Sequence, residues 1–410
     1  MFPTAPLRRA ASVLAASAAL FLAACGGGGG GDGGSSAPVG TTLLPPSSRL
    51  ANVCTAEGQK QWVRSYLHET YLWADEVQEV DAGAYTTPAA YFDALLVRTP
   101  GPDGLPRDRF STTMTAAAAN AMQGTSSASA DLAAAANPVP LVRTYLTRRG
   151  KAGYILFNQH TQGAQDALID AFASLRGAGV NDLVLDLRYN AGGFIYVAQA
   201  AAAMVAGESA DGQVFESVRY SAKRSAENEG GTFYFRKVVQ KAESRYPAGH
   251  PLPQLGLSRV YVLTSGLTCS ASESIINGLR GIGVQVVLVG DRTCGKPYGF
   301  HRKDNCGQSY FPIEFQMFNA QGFGDYASGF PVQCQVRENP RTALGATDEP
   351  LLAAALGHID SGQCPAGTFT GVVARMVQPE DGSAVPTRAH APSWDSPMYQ
   401  PGFDGRVLQP

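Results

Sequence analysis

Three short stretches carry residues able to do chemistry together. In Thr264-Ser265-Gly266-Leu267-Thr268-Cys269-Ser270-Ala271-Ser272-Glu273, Ser270 stands where an apolar strand gives way to a helix. A hydroxyl there can be a nucleophile, because the positive end of a helix stabilises a developing oxyanion. It can also be a plain N-cap, and with Glu273 it fits a capping box. In Val289-Gly290-Asp291-Arg292-Thr293-Cys294-Gly295-Lys296-Pro297-Tyr298-Gly299-Phe300, Lys296 is boxed in by Gly, Pro and aromatics. A lysine is ordinarily a surface residue. One buried without a partner favours the neutral amine and becomes available as a general base. In Leu185-Asp186-Leu187-Arg188-Tyr189-Asn190-Ala191-Gly192-Gly193, two glycines allow close backbone approach and aim N–H groups into a site, as in an oxyanion hole. Taken alone, that stretch reads as an ordinary strand-to-helix turn.

Two common alternatives fail on spacing. No G-x-S-x-G surrounds the serine, which disfavours an α/β-hydrolase. Pro297 follows the lysine where a phosphate loop needs Ser or Thr. The histidines at 68, 160, 250, 301, 358 and 390 are scattered, and only His301 lies near a motif, so no spacing supports a Ser-His-Asp triad.

Positioning such groups takes a scaffold. Leu141–Thr147 and Tyr154–Phe157 read as strands, Gln165–Leu175 as an amphipathic helix and Asp182–Leu187 as a buried strand. Ile195–Val205 reads as a helix, Arg259–Thr264 as a strand, Ala271–Leu279 as a helix and Val284–Val289 as a third buried strand. Alternation of this kind predicts an α/β fold with mainly parallel pairing, in which active residues gather at the carboxyl ends of strands. All three motifs fall there. Upstream, Gln59–Trp73 reads as a helix with Trp62, Val63, Tyr66, Leu67 and Trp73 on one face, and Thr87-Pro88 starts a second helix with Tyr91, Phe92, Leu95 and Leu96 inward. Ala116–Ala136 is low in complexity. Tyr310–Phe318 is strand-like, Gly322–Phe330 is rich in aromatic and glycine turns, and Glu349–Ile359 reads as a closing helix.

The N-terminus predicts export. Arg8 and Arg9 precede a short apolar run, Ala10–Ala23, which is too short to span a bilayer and reads as a signal peptide. Leu22-Ala23-Ala24-Cys25 looks like a bacterial lipobox, with Cys25 lipidated and Gly26–Gly31 opening a flexible tether. Gly26 after the cysteine points to an outer-membrane anchor facing the periplasm. The tether composition predicts disorder to about Ser48. A net charge of −2, with 16% charged residues and no basic stripe, gives no sign of nucleic-acid binding. No second segment is apolar enough to cross a membrane. Six cysteines remain, at 54, 269, 294, 306, 334 and 364. An even number in an oxidising compartment predicts disulfides, and the absence of C-x-x-C or H-x-x-x-H spacing disfavours zinc.

In this order, the three motifs resemble the tail-specific, or C-terminal processing, serine peptidases. The matching segments are Leu185–Gly193, Thr268–Glu273 and Val289–Lys296, within a looser match over roughly Leu141–Ile359. The resemblance implies a ClpP/crotonase-like core and a Ser-Lys dyad. By position, Ser270 would be the nucleophile and Lys296 the base, while Gly193 and the Ala271 amide, with Gly192 beside them, would hold the oxyanion. Glu273 would support the site. Lys296 would take the Ser270 proton, Ser270 would attack a peptide carbonyl, and water would resolve the acyl-enzyme, with no metal or organic cofactor.

Two departures stand out. Phe300 occupies the place of a glutamine that orients the lysine in some members, which leaves Ser272, Tyr298 or backbone carbonyls to do so. The stretch between Asp108-Arg109-Phe110-Ser111 and Val139-Pro140-Leu141 is far too short for the PDZ domain usual in the family, so tail specificity does not follow. Cys269–Cys294 could clamp the dyad, with Cys294–Cys306 as the rival pairing.

The expected organisation is a signal peptide to residue 24, a tether over 25–49 and a helical region over 50–112. A connector at 113–138, a catalytic core at 139–364 and a tail at 365–410 complete it. The expected function is cleavage of exported proteins or peptides in the cell envelope. The alternatives are a non-catalytic lipoprotein binding peptides or hydrophobic ligands on the same fold and, disfavoured by the export signal, an acyl-CoA enzyme.

Overall fold

The computed structural model describes residues 44–122 and 137–365. The expected signal peptide, Cys25, most of the expected tether, most of the low-complexity connector and the tail from residue 366 lie outside the described residues.

A six-stranded sheet carries the core. Its strands are β2 (Leu141–Thr147), β3 (Gly150–Leu156), β4 (Asp182–Asp186), β7 (Arg259–Thr264), β8 (Gln285–Gly290) and β13 (Cys334–Gln335). The order is β13-β8-β7-β4-β3-β2, parallel throughout except that β2 returns antiparallel to β3 along one edge. Every residue of β4 is buried, as expected of a strand covered on both faces. One face meets α3 (Ala164–Ala178), α4 (Ile195–Ala206) and α5 (Ala271–Gly281) in a large apolar core. The other face meets α6 (Pro350–Ser361) over a smaller core that includes Tyr154, Val184, Leu263, Leu352 and Ala355. The expected α/β core is therefore present, with element ends shifted by a few residues.

A second sheet, β6-β5-β12-β9, and a three-stranded sheet, β1-β11-β10, flank this core. Their strands are β1 (Thr112–Thr115), β5 (Val214–Tyr220), β6 (Thr232–Tyr234), β9 (Tyr298–Gly299), β10 (Lys303–Asn305), β11 (Gln308–Phe311) and β12 (Phe315–Phe318). The stretch Tyr310–Phe318, read above as one strand-like segment, is split between two sheets. Pro312 cannot donate to a ladder and marks the break.

The N-terminal region holds α1 (Ala56–Thr70) and α2 (Pro88–Ala94), with Thr55 and Thr87 as N-caps. Trp62 stacks on Tyr66 and meets Tyr310 of β11, and all three are nearly inaccessible. Burying an aromatic ring of this size stabilises by about 2–3 kcal/mol. The disulfide Cys54–Cys306 fastens the same region to the β10–β11 hairpin. Helix α1 ends at Thr70, so Trp73 falls outside the expected helix. The Leu72 N–H donates to Ile313 O and the Tyr71 hydroxyl to Asp108, which draws the chain away. Order also begins earlier than expected. Ser47–Leu50 is a short helix held because the Ser47 amide and hydroxyl both donate to Glu69. Within the expected connector, Thr112–Thr115 pairs as β1 and Ala116–Met122 is helical.

Candidate active site

The carboxyl ends of β4, β7 and β8 lie side by side, and each opens into one of the three motifs. After β4 the chain turns through Asn190 and the two glycines. Asn190 is fully buried and acts as a hub. Its Oδ1 accepts the Gly192 N–H at 3.0 Å and lies 2.9 Å from His160 Nδ1, while its Nδ2 donates to Phe157 O. Its carbonyl accepts the Cys269 N–H at 3.1 Å and the Ser272 hydroxyl at 3.0 Å, which joins the first turn to the second. Gly192 has φ 97°, and a Cβ there would come within 2.8 Å of both Cys269 O and Ser270 Cβ. Only glycine lets this turn press against the serine.

Ser270 is the N-cap of α5, fully buried, with φ 56° and ψ −118°. Few non-glycine residues adopt that conformation, and it costs on the order of 1–3 kcal/mol. Such strain accumulates where a side chain must be aimed. The sequence lacks the G-x-S-x-G spacing, yet its serine sits on a comparably sharp strand-to-helix turn.

Glu273 ties this turn to the one carrying Lys296. Its carboxylate is wholly buried and accepts four hydrogen bonds, from Ser270 N at 3.0 Å, Thr293 Oγ1 at 2.6 Å, Gly295 N at 2.9 Å and Lys296 N at 2.8 Å. The Ser270 and Lys296 amides converge on one oxygen, Oε2. Burial pushes this carboxyl above its ordinary value, against the opposing pull of those donors. A second tie runs beside it: Cys269 and Cys294 form a disulfide, and Cys294 N–H donates to Thr268 O. Cys269–Cys294 is thus the pairing present, and Cys294–Cys306 is not. The third bridge is Cys334–Cys364, joining β13 to the end of α6.

Lys296 is fully buried. Its Nζ lies 4.5 Å from the centroid of Phe300 and 5.3 Å from that of Phe110. The residue in the place of the expected glutamine is therefore a ring wall against the amine, and the N-terminal region supplies a second wall. Ser272 is spent on Asn190 O, so it braces the glycine turn. Tyr298 packs edge-on to Trp73 and tilted to Phe110. His301 is engaged by Glu314 at 3.0 Å.

Gly192 is the one expected oxyanion donor that the structure commits elsewhere, to Asn190. Among the described residues, the Gly193 and Ala271 amides have no acceptor. Asn190, Thr293 and Phe110 complete the site and were not singled out above. Asn190 stood inside the first motif, two residues before a glycine, where a side chain that hydrogen-bonds a nearby amide is expected.

Residues 151–304 match the model of peptidase family S41, and residues 58–112 match that of the peptidase S41 N-terminal domain. The chain belongs to peptidase family S41. It is similar to a carboxyl-terminal-processing protease of Picosynechococcus sp., 31% identical over 146 residues. That match takes in 36% of this chain but only 29% of the relative. A crystal structure of a Bacteroides fragilis protein assigned to the S41 proteases shares the fold, with a TM-score of 0.57 and 22% identity. The likeness covers 73% of this chain and 97% of that one.

Proposed function

We propose that this S41 peptidase is a serine peptidase with Ser270 as nucleophile and Lys296 as general base. The observation that carries the reading is the shared Glu273 oxygen, which holds the backbone of both residues at one sheet edge. In the attacking form the Lys296 amine, buried between the Phe300 and Phe110 rings, is neutral and accepts the Ser270 proton. Ser270 then attacks the peptide carbonyl. The Gly193 and Ala271 amides receive the oxyanion, helped by the positive end of α5. Lys296 protonates the leaving amine, and water hydrolyses the acyl-enzyme with Lys296 again as base.

The proposed substrates are exported proteins or peptides of the cell envelope. This part rests on the signal-like N-terminus and on Cys25 as a lipidation site, which together point to an outer-membrane lipoprotein facing the periplasm. Trimming from a carboxyl terminus is one form of the activity, supported by the partial likeness to the carboxyl-terminal-processing relative.

The deciding experiment compares degradation of an unfolded protein by wild type, Ser270→Ala and Lys296→Ala. Loss in both variants is expected. Equal activity in all three would refute the dyad, and an inactive wild type would favour a binding-only role. Palmitate labelling of wild type against Cys25→Ser tests the anchor, and equal labelling would remove it.

A further inference from the structure

A cavity of about 420 Å³ opens at the first turn of α4, the helix that follows the glycine turn. One wall is the first turn of α4, where Ile195 and Tyr196 follow Gly193 by two and three residues. Phe233 and Tyr234 of β6 face it. Two cations complete the lining. The Arg236 guanidinium sits 5.2 Å from the centroid of Tyr234, and Lys241 Nζ sits 5.2 Å from that of Tyr196.

Two other cations of the neighbouring segments are matched with acids: Arg245 with Asp170 and Lys237 with Asp211. Among the described residues, neither Arg236 nor Lys241 is in an ion pair. Glu243, the acid that acts electrostatically on Lys241, is occupied by the Tyr196 hydroxyl at 2.6 Å and the Asp166 amide at 3.1 Å. The lining is built rather than loose. Buried Gln199 donates to Tyr234 O at 2.6 Å, and buried Gln165 donates to Lys241 O at 2.8 Å. Burial pushes the Lys241 amine down from its ordinary value, with Glu243 pulling the other way, so a visiting anion would restore what desolvation removes.

We propose that this cavity is a substrate subsite that takes a carboxylate of the peptide. The proposal rests on the peptidase reading, because only a chain laid along the Gly193 turn brings its neighbouring residues to Tyr196. Two cations with aromatic walls suit a carboxylate flanked by apolar substrate atoms. The carboxylate can be the α-carboxylate of a chain end or an Asp or Glu side chain. Without a PDZ domain between residues 112 and 138, this subsite would supply selectivity from within the catalytic core.

The test uses full-length Ser270→Ala protein and fluorescent peptides, so that binding is read without cleavage. One peptide pair differs only in a free or amidated C-terminus, and a second only in an internal Glu or Gln. Binding is expected to weaken about tenfold when the recognised carboxylate is neutralised. Sensitivity to amidation assigns the chain end, and sensitivity to Glu→Gln assigns the side chain. The preference should vanish in Arg236→Ala/Lys241→Ala and largely survive in Lys241→Arg, which guards against a folding artefact. Equal binding within both pairs, no binding at all, or a preference that persists in the double variant would overturn the proposal. Failure of the dyad reads out separately, as cleavage by Ser270→Ala.

Discussion

Glu273 and Glu349 are both wholly buried, and both lie at the start of a helix, yet they are held in different ways. Glu349 caps α6 and forms a two-bond fork with Arg188, at 2.7 and 2.8 Å. Arg188 is itself shared with Asp186, whose carboxylate also accepts from Tyr154. Among the described residues, Glu273 is in no ion pair with a guanidinium or ammonium. Its hydrogen-bond donors are three backbone amides and a hydroxyl, and those amides belong to the turns that carry Ser270 and Lys296. Burial raises both carboxyls. Arg188 brings Glu349 back below its ordinary value, while Glu273 stays above. The ion-paired glutamate therefore fixes the scaffold behind the sheet, and the other fixes the geometry of the site.

The largest expected effect separates chemistry from either kind of support. Ser270→Ala and Lys296→Ala should each lower kcat by about 10³-fold or more. Thermal stability should stay near wild type, since neither change touches the Glu273 or Glu349 hydrogen bonds, which are made by backbone groups, the Thr293 hydroxyl and Arg188. Ser270→Gly should be inactive but more stable than Ser270→Ala, by about 1 kcal/mol, because glycine relaxes the positive φ. Equal urea midpoints for the alanine and glycine variants would count against strain at this turn.

The next pair tests the comparison itself. Glu349→Ala leaves Arg188 buried with only part of its partners and should cost about 3 kcal/mol of stability. The activity of the molecules that remain folded should change little. Glu273→Gln should do the reverse. Its amide would turn N–H groups toward amide donors, displace one of the two turns and reduce kcat/KM by about 10–100-fold, with a smaller loss of stability. If both variants lose activity and stability in the same proportion, the division between scaffold and site collapses.

Much of this was legible in the sequence because it is carried by apolar runs. Strands β4, β7 and β8 are continuous buried stretches, and the residues after each run are small or polar, so the edge bearing Ser270, Lys296 and Gly193 could be read directly. What holds that edge together could not. Asn190 draws on Phe157, His160 and Ser272, and Phe110 reaches Lys296 from the N-terminal region. Such contacts leave no periodicity. Strand β5 was missed for a related reason: it carries a fully buried Glu216, which breaks the apolar alternation that signals a strand. Phe300 stood out as a departure from the family pattern, yet its place as a wall against the lysine amine emerges only in three dimensions.

Two disulfides repeat the contrast with backbone cross-links. Cys269–Cys294 and Cys334–Cys364 close segments separated by 25 and 30 residues, so loop entropy alone would make them nearly equal, at roughly 3 kcal/mol each. Only the first joins the residue before the serine to a residue two before the lysine. Replacing each pair by serines should cost similar stability. The Cys269/Cys294 variant should also lose about tenfold in kcat/KM, and the Cys334/Cys364 variant should not. Equal activities would show that Glu273 alone positions the turns.

The smallest effect is a difference of sign in pH dependence. A carboxyl whose pKa is lowered on folding adds stability above its ordinary value of 4.5 and loses it as pH falls through the folded value. Glu349 therefore steepens the acid limb, and Glu349→Gln should flatten it. A carboxyl whose pKa is raised on folding binds its proton more tightly in the native state. Its contribution falls as pH rises from 4.5 through the raised value. Glu273 therefore opposes stability on approach to neutrality, and Glu273→Gln should remove that decline while leaving the acid limb intact. Urea midpoints from about pH 3 to about pH 8 measure both slopes. The two variants must bend the profile in opposite regions, and a shared region would mean that Glu273 is paired with a cation after all.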